Sequence, residues 1–371
     1  MPEMAAVLRR YGLDYRERCG EGLLPSHRRA MDDLLHCRTE AFGGHLLQCE
    51  HWGQAHYAYH SCPNRRCPTC HSYDTAVWLA ERRQELLPVP YFPVVVTLPQ
   101  ELHDLVRRHP KDLYDSVLRA AAQALLKLAM DPHDVGGLIG LLCVLHPGTR
   151  PLAYHPHVHC LVPAGGVSAD RTEWRPARTS SLVPVHALAQ LFRGLCLELG
   201  RQERPDLTLP ESVWTKGWVV YGKPTVRGAA QVLNDLGRYL HRIALTNHRL
   251  LAIEEGQVSF RDQDSQDQRG RTMTLPADEF IRRFLQHVLP QGCHKVRSYG
   301  LWSPVNRPLR HQLQLSLAGH AAAPPPTAPE PAPQATEAWC PPLRAGQLCP
   351  SGGQGRLVVI RSIPRLQRGP P

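Results

Sequence analysis

The sequence has no apolar run near the roughly 20 residues that a bilayer span requires. Its longest candidates, Leu138–Leu145 and Phe92–Leu98, have the length of core strands. A membrane-spanning helix is therefore not expected. Met1–Arg10 carries no apolar stretch ahead of a small-residue cleavage site, so a secretory signal is not expected either, and the chain reads as cytoplasmic. Lysine is nearly missing as well: it supplies five of the 43 basic residues. With 33 acidic residues the net charge is +10, and Arg carries almost all of it. Wholesale disorder is excluded by 42% hydrophobic and 20% charged residues. A length of 371 residues suggests two domains, or three.

Arg presents a planar fork that matches phosphate oxygens and stacks on bases. A sequence pI near 9.1 built on Arg favours a nucleic-acid partner. A GC-rich genome also enriches Arg, Ala and Pro, so composition alone leaves both explanations open.

The twelve cysteines are unevenly spread, with six between Cys19 and Cys70. In a reducing compartment such clustering reads as metal binding. Cys67-Pro-Thr-Cys70 is a CxxC knuckle, a tight turn that offers two thiolates to one tetrahedral Zn²⁺. Cys62 lies just upstream. A second knuckle is expected at Cys49, but Cys49-Glu-His-Trp52 has Trp where the second Cys belongs, and His51 or His56 can supply an imidazole instead. The expected Zn²⁺ ligands are Cys49, Cys62, Cys67 and Cys70. A shell of soft ligands closes around the ion, so the site is structural. The alternative is a set of buried free thiols.

Spacing and turn residues predict a helical segment to about residue 36, a helix over 74–87 and a strand over 92–98. A helix over 112–130 precedes strands at 140–145 and 155–163, which read as a hairpin across 147–150. Further helices are expected at 186–200, 226–247 and 276–288, with a strand at 214–221. Hairpin strands with separate helices point to an α+β domain on an antiparallel sheet. Residues 318–336 are Ala/Pro-rich and read as a linker, and residues 341–371 hold five Arg and no acidic residue.

Within Tyr154-His-Pro-His-Val-His-Cys160, alternate strand residues share a face, so His155, His157 and His159 point one way. His157 and His159 are about 6.6 Å apart at Cα, which permits one shared ion, whereas His155 and His159 are about 13 Å apart. His157 and His159 are therefore the preferred pair. Two imidazoles leave coordination positions open for a substrate phosphate. Ordinary core or surface histidines are the bland alternative. Tyr239 shares a helix stripe with Val232, Leu236 and Ile243 and is flanked by Arg238, His241 and Arg242. A half-buried core aromatic is the common reading of such a Tyr. The basic neighbours are what a phenol attacking a phosphate requires.

Taken in order, the cysteine cluster, His157-Val158-His159 and Tyr239 make the chain resemble the rolling-circle (HUH-type, His–hydrophobic–His) transposases of the insertion-sequence-ninety-one family. The resemblance runs from about residue 5 to 310. It includes Tyr73–Leu98, His155–Gly166, Val220–Pro224 ("VYGKP"), Tyr239–Leu250 and Met273–Pro290. It implies an α+β fold: a small Cys-rich zinc-binding domain (1–88), then an HUH endonuclease domain with a central antiparallel sheet and flanking helices (89–315), then an Ala/Pro-rich linker and basic tail (316–371). It further implies that His157 and His159 hold Mg²⁺ or Mn²⁺, and that Tyr239 attacks single-stranded DNA to give a 5′-phosphotyrosine. Arg238 and Arg242 would contact the DNA, and the zinc head would bind element ends. A bacterial, nucleoid-associated location follows from the same resemblance.

Three positions depart from the family pattern. Asp235 stands where many members have a second tyrosine. Trp52 replaces a cysteine. Cys349-Pro-Ser-Gly352 lacks the second Cys of a tail knuckle, so zinc in the tail is not expected, although Cys340 is nearby. Asp235, Gln231 and His155 are the candidates for a third catalytic-metal ligand. Two other functions fit part of the pattern. One is a zinc-dependent DNA-binding protein or inactive transposase copy that binds ends without cleavage. The other is a replication-initiation nuclease of the same chemistry.

Overall fold

The computed structural model describes residues 2–62, 64–149, 151–177, 181–222, 245–263, 270–320 and 343–366. The first helices and strands are α1 (Met4–Cys19), α2 (Pro25–Leu35), β1 (Gly44–Cys49), β2 (Ala55–Tyr59), α3 (His71–Arg83) and β3 (Tyr91–Thr97). Next come α4 (His103–Arg108), α5 (Pro110–Ala129), β4 (Gly140–Gly148), β5 (Tyr154–Pro163), β6 (Gly165–Val167), β7 (Trp174–Pro176), α6 (Val185–Glu203), α7 (Ser212–Thr215) and β8 (Val220–Gly222). The remainder is β9 (Leu250–Glu254), β10 (Gln257–Gln263), β11 (Gly270–Pro276), α8 (Ala277–Leu285), β12 (Val296–Gly300), α9 (Arg307–His320) and β13 (Leu357–Ile363). The chain is thus a mixture of helices and antiparallel sheets. Among the described residues no helix is long and apolar enough to cross a membrane.

Two compact units emerge. The first combines residues 1–76, 245–288 and 329–371. Its helical segment is broken at Gly20–Gly22 and restarts with Pro25 at the first turn of α2, where a missing N–H costs nothing. Met4, Val7, Leu8 and Tyr15 of α1 and Ala30, Met31 and Leu34 of α2 are buried, at helical spacing. Strands β13, β1 and β2 form one antiparallel sheet in that order. Strands β9, β10 and β11 form a meander, which sequence periodicity did not reveal. Glu255 and Gly256, both with positive φ (45° and 78°), make the two-residue turn between β9 and β10. Phe260 packs against Phe280 of α8 at 5.6 Å between ring centroids.

This grouping departs from the expected boundaries 1–88, 89–315 and 316–371 in two places. Residues 245–288 cluster with the Cys-rich head, and the tail supplies a strand, β13, to the head's sheet. The β-branched run Val358-Val359-Ile360 explains that strand.

Burial on α2 lowers the His27 imidazole from its ordinary 6.5 to about 4. The unfolded chain therefore binds more protons than the folded chain between those values, and stability falls as pH drops through that window. Lowering the pH from 7.5 to 5 should remove roughly 2 kcal/mol of stability through this group. Denaturant melts of wild type and His27→Gln at the two pH values check it: the variant should lose less on acidification.

The second unit, residues 77–244 and 289–328, holds a five-stranded antiparallel sheet of order β12-β4-β5-β3-β8. Its two faces differ because side chains alternate along each strand. Phe92, Val94 and Val96, Cys143 and Leu145, and Val158, Cys160 and Val162 form one face, packed on α5 and α6 through Val117, Leu118, Leu125, Leu188 and Phe192. Ala120, Ala121, Ala122 and Ala124 are fully buried, their small side chains suiting close approach around α5. On the opposite face Tyr91, Leu142, Val144 and Leu161 pack with Trp302, whose ring stacks on Tyr91 at 5.8 Å. That apolar cluster fills one end of the face. The histidines occupy the other.

Candidate metal centres

The histidine centre follows from strand register. In β5, His157 and His159 alternate with buried Val158 and Cys160, so both imidazoles stand on the face away from α5 and α6. β4 pairs antiparallel with β5, placing His146 directly opposite His157 and Val144 opposite His159. The ligating atoms of His146, His157 and His159 all lie within 4.8 Å of one another. Ring centroids are 5.2 Å apart for His146 and His157, 4.6 Å for His146 and His159, and 5.0 Å for His157 and His159. The His157 Nδ1 lies 2.7 Å from the His155 carbonyl oxygen. Donation of Nδ1–H to that carbonyl leaves Nε2 as the ligand. Three imidazoles on one side of an ion leave its other positions open.

His146 is the residue that sequence reasoning missed. His155 does not join the group. Its ring sits 5.5 Å from those of both His103 and His157, but its nitrogens are not among the ligand atoms that cluster. Burial lowers the His103 and His155 imidazoles, and the charge of His155 adds to the effect at His103. Two residues from His157 along β5, His155 lies outside the row that His146 and His157 share, beside the register shift between His146 and Gly148.

The thiol centre also differs in one ligand. Sγ atoms of Cys37, Cys62, Cys67 and Cys70 lie within 4.8 Å of one another. The Cys62–Cys70 separation of 3.6 Å is close to the edge of a tetrahedron with Zn–S bonds of about 2.3 Å, about 3.8 Å. Cys62, Cys67 and Cys70 are as expected, but Cys37 stands in place of Cys49. The reason is the β1–β2 hairpin. His60 N–H donates to the Gly43 carbonyl and Arg38 N–H to the His60 carbonyl, so the segments bearing Cys37 and Cys62 meet at the open end. Cys49 sits at the turn end, about 20 Å along the strand. Asp33, buried, accepts from Asn64 Nδ2 and so ties the Cys62–Cys67 loop to α2.

Hydrogen bonds from Cys37, Cys62 and Cys70 hold the Cys67 thiol far below its ordinary value, while Cys37, Cys67 and Cys70 push Cys62 far above. Four thiols this close cannot all ionise unaided, and a divalent cation removes the conflict. The donor set fits structural zinc. Cys37→Ser should strip one zinc from the chain and unfold the head, since such ions supply on the order of 10 kcal/mol of folding free energy. Zinc content by atomic spectrometry and faster proteolysis within residues 1–62 check this.

Tyr239, Arg238, Arg242, Asp235 and Gln231 lie outside the described residues. Tyr221 of β8 is half exposed and belongs to the same lateral row as His159, through Val95.

Comparison with known proteins bears on both centres. The family described as "Transposase zinc-binding domain" matches residues 7–98, and the family described as "Putative transposase" matches residues 140–309. "Putative transposase y4qJ" of Sinorhizobium fredii (strain NBRC 101917 / NGR234) is 41% identical over 318 residues, covering 81% of this chain and 80% of that protein. The chain belongs to the insertion-sequence-ninety-one family of transposases. "Transposase for insertion sequence element IS801" of Pseudomonas savastanoi pv. phaseolicola is a more distant relative of this transposase, 26% identical over 286 residues, or 72% of this chain and 68% of that one. No solved structure matches it. The four-thiol cluster of the transposase lies inside the zinc-binding match, and its three histidines and Tyr239 lie inside the other.

Proposed function

We propose that this transposase cleaves single-stranded DNA at element ends and rejoins it by rolling-circle transposition, through a covalent tyrosine intermediate on an HUH-type endonuclease domain. The observation that carries the reading is the trio His146, His157 and His159 on the sheet face that α5 and α6 leave uncovered. Mg²⁺ or Mn²⁺ held by these imidazoles would supply polarisation of a phosphate oxygen. The His157 Nδ1 contact to the His155 carbonyl orients one of them.

The phenol oxygen of Tyr239 attacks phosphorus and loses its proton to solvent. An O–P bond to tyrosine forms, the P–O3′ bond breaks, and the departing 3′ oxygen takes a proton from solvent. The DNA 5′ end is left on the enzyme as a phosphotyrosine, which keeps the bond energy for strand joining without ATP. Arg238, His241 and Arg242 flank Tyr239 in sequence and would offset charge on phenolate and phosphate. Asp235, in place of a second tyrosine, favours a single-nucleophile cycle. The Arg-borne charge of +10 suits the backbone, with affinity falling steeply in salt.

The test incubates the full chain with labelled single-stranded DNA from element ends and Mn²⁺, followed by a denaturing gel. A band retained on protein after denaturation, lost when EDTA replaces Mn²⁺, supports the reading. A gel shift without any covalent band would instead make the chain an end-binding protein that does not cut.

A further inference from the structure

The sheet face that carries the three histidines continues past them to β8, at the edge of the sheet. His146, His157 and Thr97 stand side by side on β4, β5 and β3. Val144, His159, Val95 and Tyr221 make the next row, on β4, β5, β3 and β8. Thr97 N–H donates to the Val219 carbonyl at 3.0 Å, which carries the first row on to Val219. Strand alternation agrees. Val220, between Val219 and Tyr221, packs on the opposite face with the core of α5 and α6. Val219 and Tyr221 therefore share the side on which the imidazoles stand.

The result is a shelf beside the candidate metal centre. Val95 and Thr97 are half-buried, whereas Val219 is 65% and Tyr221 51% exposed. Neighbouring apolar side chains left this open, on the rim of a polar site, mark a binding surface. Two strand spacings of about 4.8 Å put the Cα of Tyr221 about 10 Å from that of His159. A phosphate at the histidines brings its own base, or that of the adjoining nucleotide, within reach of the ring. The shelf offers a π-face and branched methyl groups, which suit a base and not a phosphate. A duplex keeps its bases stacked inside, whereas a single strand presents them to an aromatic ring.

We propose that Tyr221, with Val219 beside it, is a stacking platform for a base of single-stranded DNA next to the phosphate at the histidine trio. The inference rests on the proposed placement of single-stranded DNA on the histidine face. It makes Tyr221 a positioning residue: the ring fixes a base and, through its sugar, the phosphate that lies over the imidazoles. Stacking tolerates any base, so the platform orients the strand and leaves sequence choice to other contacts.

The experiment uses the full chain with Mn²⁺ and a fluorescein-labelled oligothymidylate of about 12 nucleotides, beside an abasic strand of equal length. Tyr221→Ala should weaken oligothymidylate binding by about 10-fold to 100-fold, read by anisotropy. Tyr221→Phe, which keeps the ring, should stay within about twofold of wild type. The abasic strand should bind all three proteins alike. An oligonucleotide of 5-iododeoxyuridine, irradiated on wild type, should cross-link to Tyr221, as mapped by peptide mass spectrometry. The cross-link needs no variant to fold. Equal oligothymidylate affinity in wild type and Tyr221→Ala overturns the proposal, as does an equal loss on the abasic strand or a cross-link map without Tyr221. A wild-type dimer that Tyr221→Ala disperses, with no cross-link at Tyr221, would give the shelf to a second copy of the chain and also overturn it. The probe carries no element end, so binding is read apart from cleavage. A cross-link at Tyr221 with no covalent adduct on element ends would end the nuclease reading and keep this one.

Discussion

Replacing Tyr239 with phenylalanine should abolish the covalent DNA adduct and reduce strand cleavage by at least about 10⁴-fold, the scale on which removal of a covalent nucleophile acts. The substitution deletes one oxygen and keeps the ring, so it removes the attacking group with little change in side-chain volume. The substitution leaves Arg238 and Arg242, proposed to contact phosphate, in place, and a gel shift on uncut single strands should therefore stay within about twofold, a few tenths of a kcal/mol. Adduct formation on a denaturing gel is the measurement. An adduct that survives Tyr239→Phe and vanishes in Tyr221→Phe would move the nucleophile to the phenol that shares the row of His159.

The second large effect is expected at His146. His146→Ala should weaken Mn²⁺ binding by 10-fold to 100-fold or more and cut cleavage by on the order of 10³, because a ligand is removed from a three-imidazole set. His155→Ala should leave both within about twofold, since its nitrogens lie outside the cluster of ligand atoms that His146, His157 and His159 form. Titration calorimetry with Mn²⁺ alone separates binding from chemistry. His146 is buried, so its truncation also leaves a cavity costing roughly 1–3 kcal/mol. A thermal melt shows whether the fold survives at the assay temperature. Equal Mn²⁺ affinity in wild type and His146→Ala would remove His146 from the centre, and a loss confined to His155→Ala would put His155 there instead.

The contrast between these histidines shows what a one-dimensional reading can reach. His157 and His159 are legible because strand alternation is local: two residues apart means one face. His146 joins them only through the β4–β5 register, and the strand expected over 140–145 stopped one residue short of it. The same logic separates the cysteines. Cys67 and Cys70 are ligands by spacing alone, whereas the choice between Cys37 and Cys49 depends on which end of the β1–β2 hairpin lies near Cys62. Spacing could not decide that.

The core strands over 91–97 and 154–163 and the helices over 110–129 and 185–203 follow apolar periodicity and came within a few residues of expectation. The expected strand over 214–221 is instead a helical turn, α7, and the short β8. The meander of β9 to β11 is poorly marked because its residues are largely half-buried or exposed, which weakens alternation. The tail strand was hidden by its setting, a β-branched run beyond an Ala/Pro-rich stretch.

The pairing of β13 with β1 has a consequence during synthesis. Residues 44–49 leave the ribosome roughly 300 residues before 357–363, an interval of about 15–60 s at bacterial elongation rates. Throughout it the outer edge of β1 has no partner of its own chain and is open to any other nascent strand. Messages cut short before codon 357 would yield heads with that edge permanently bare, so truncated products should aggregate or be degraded rather than accumulate as competitors of the full-length protein.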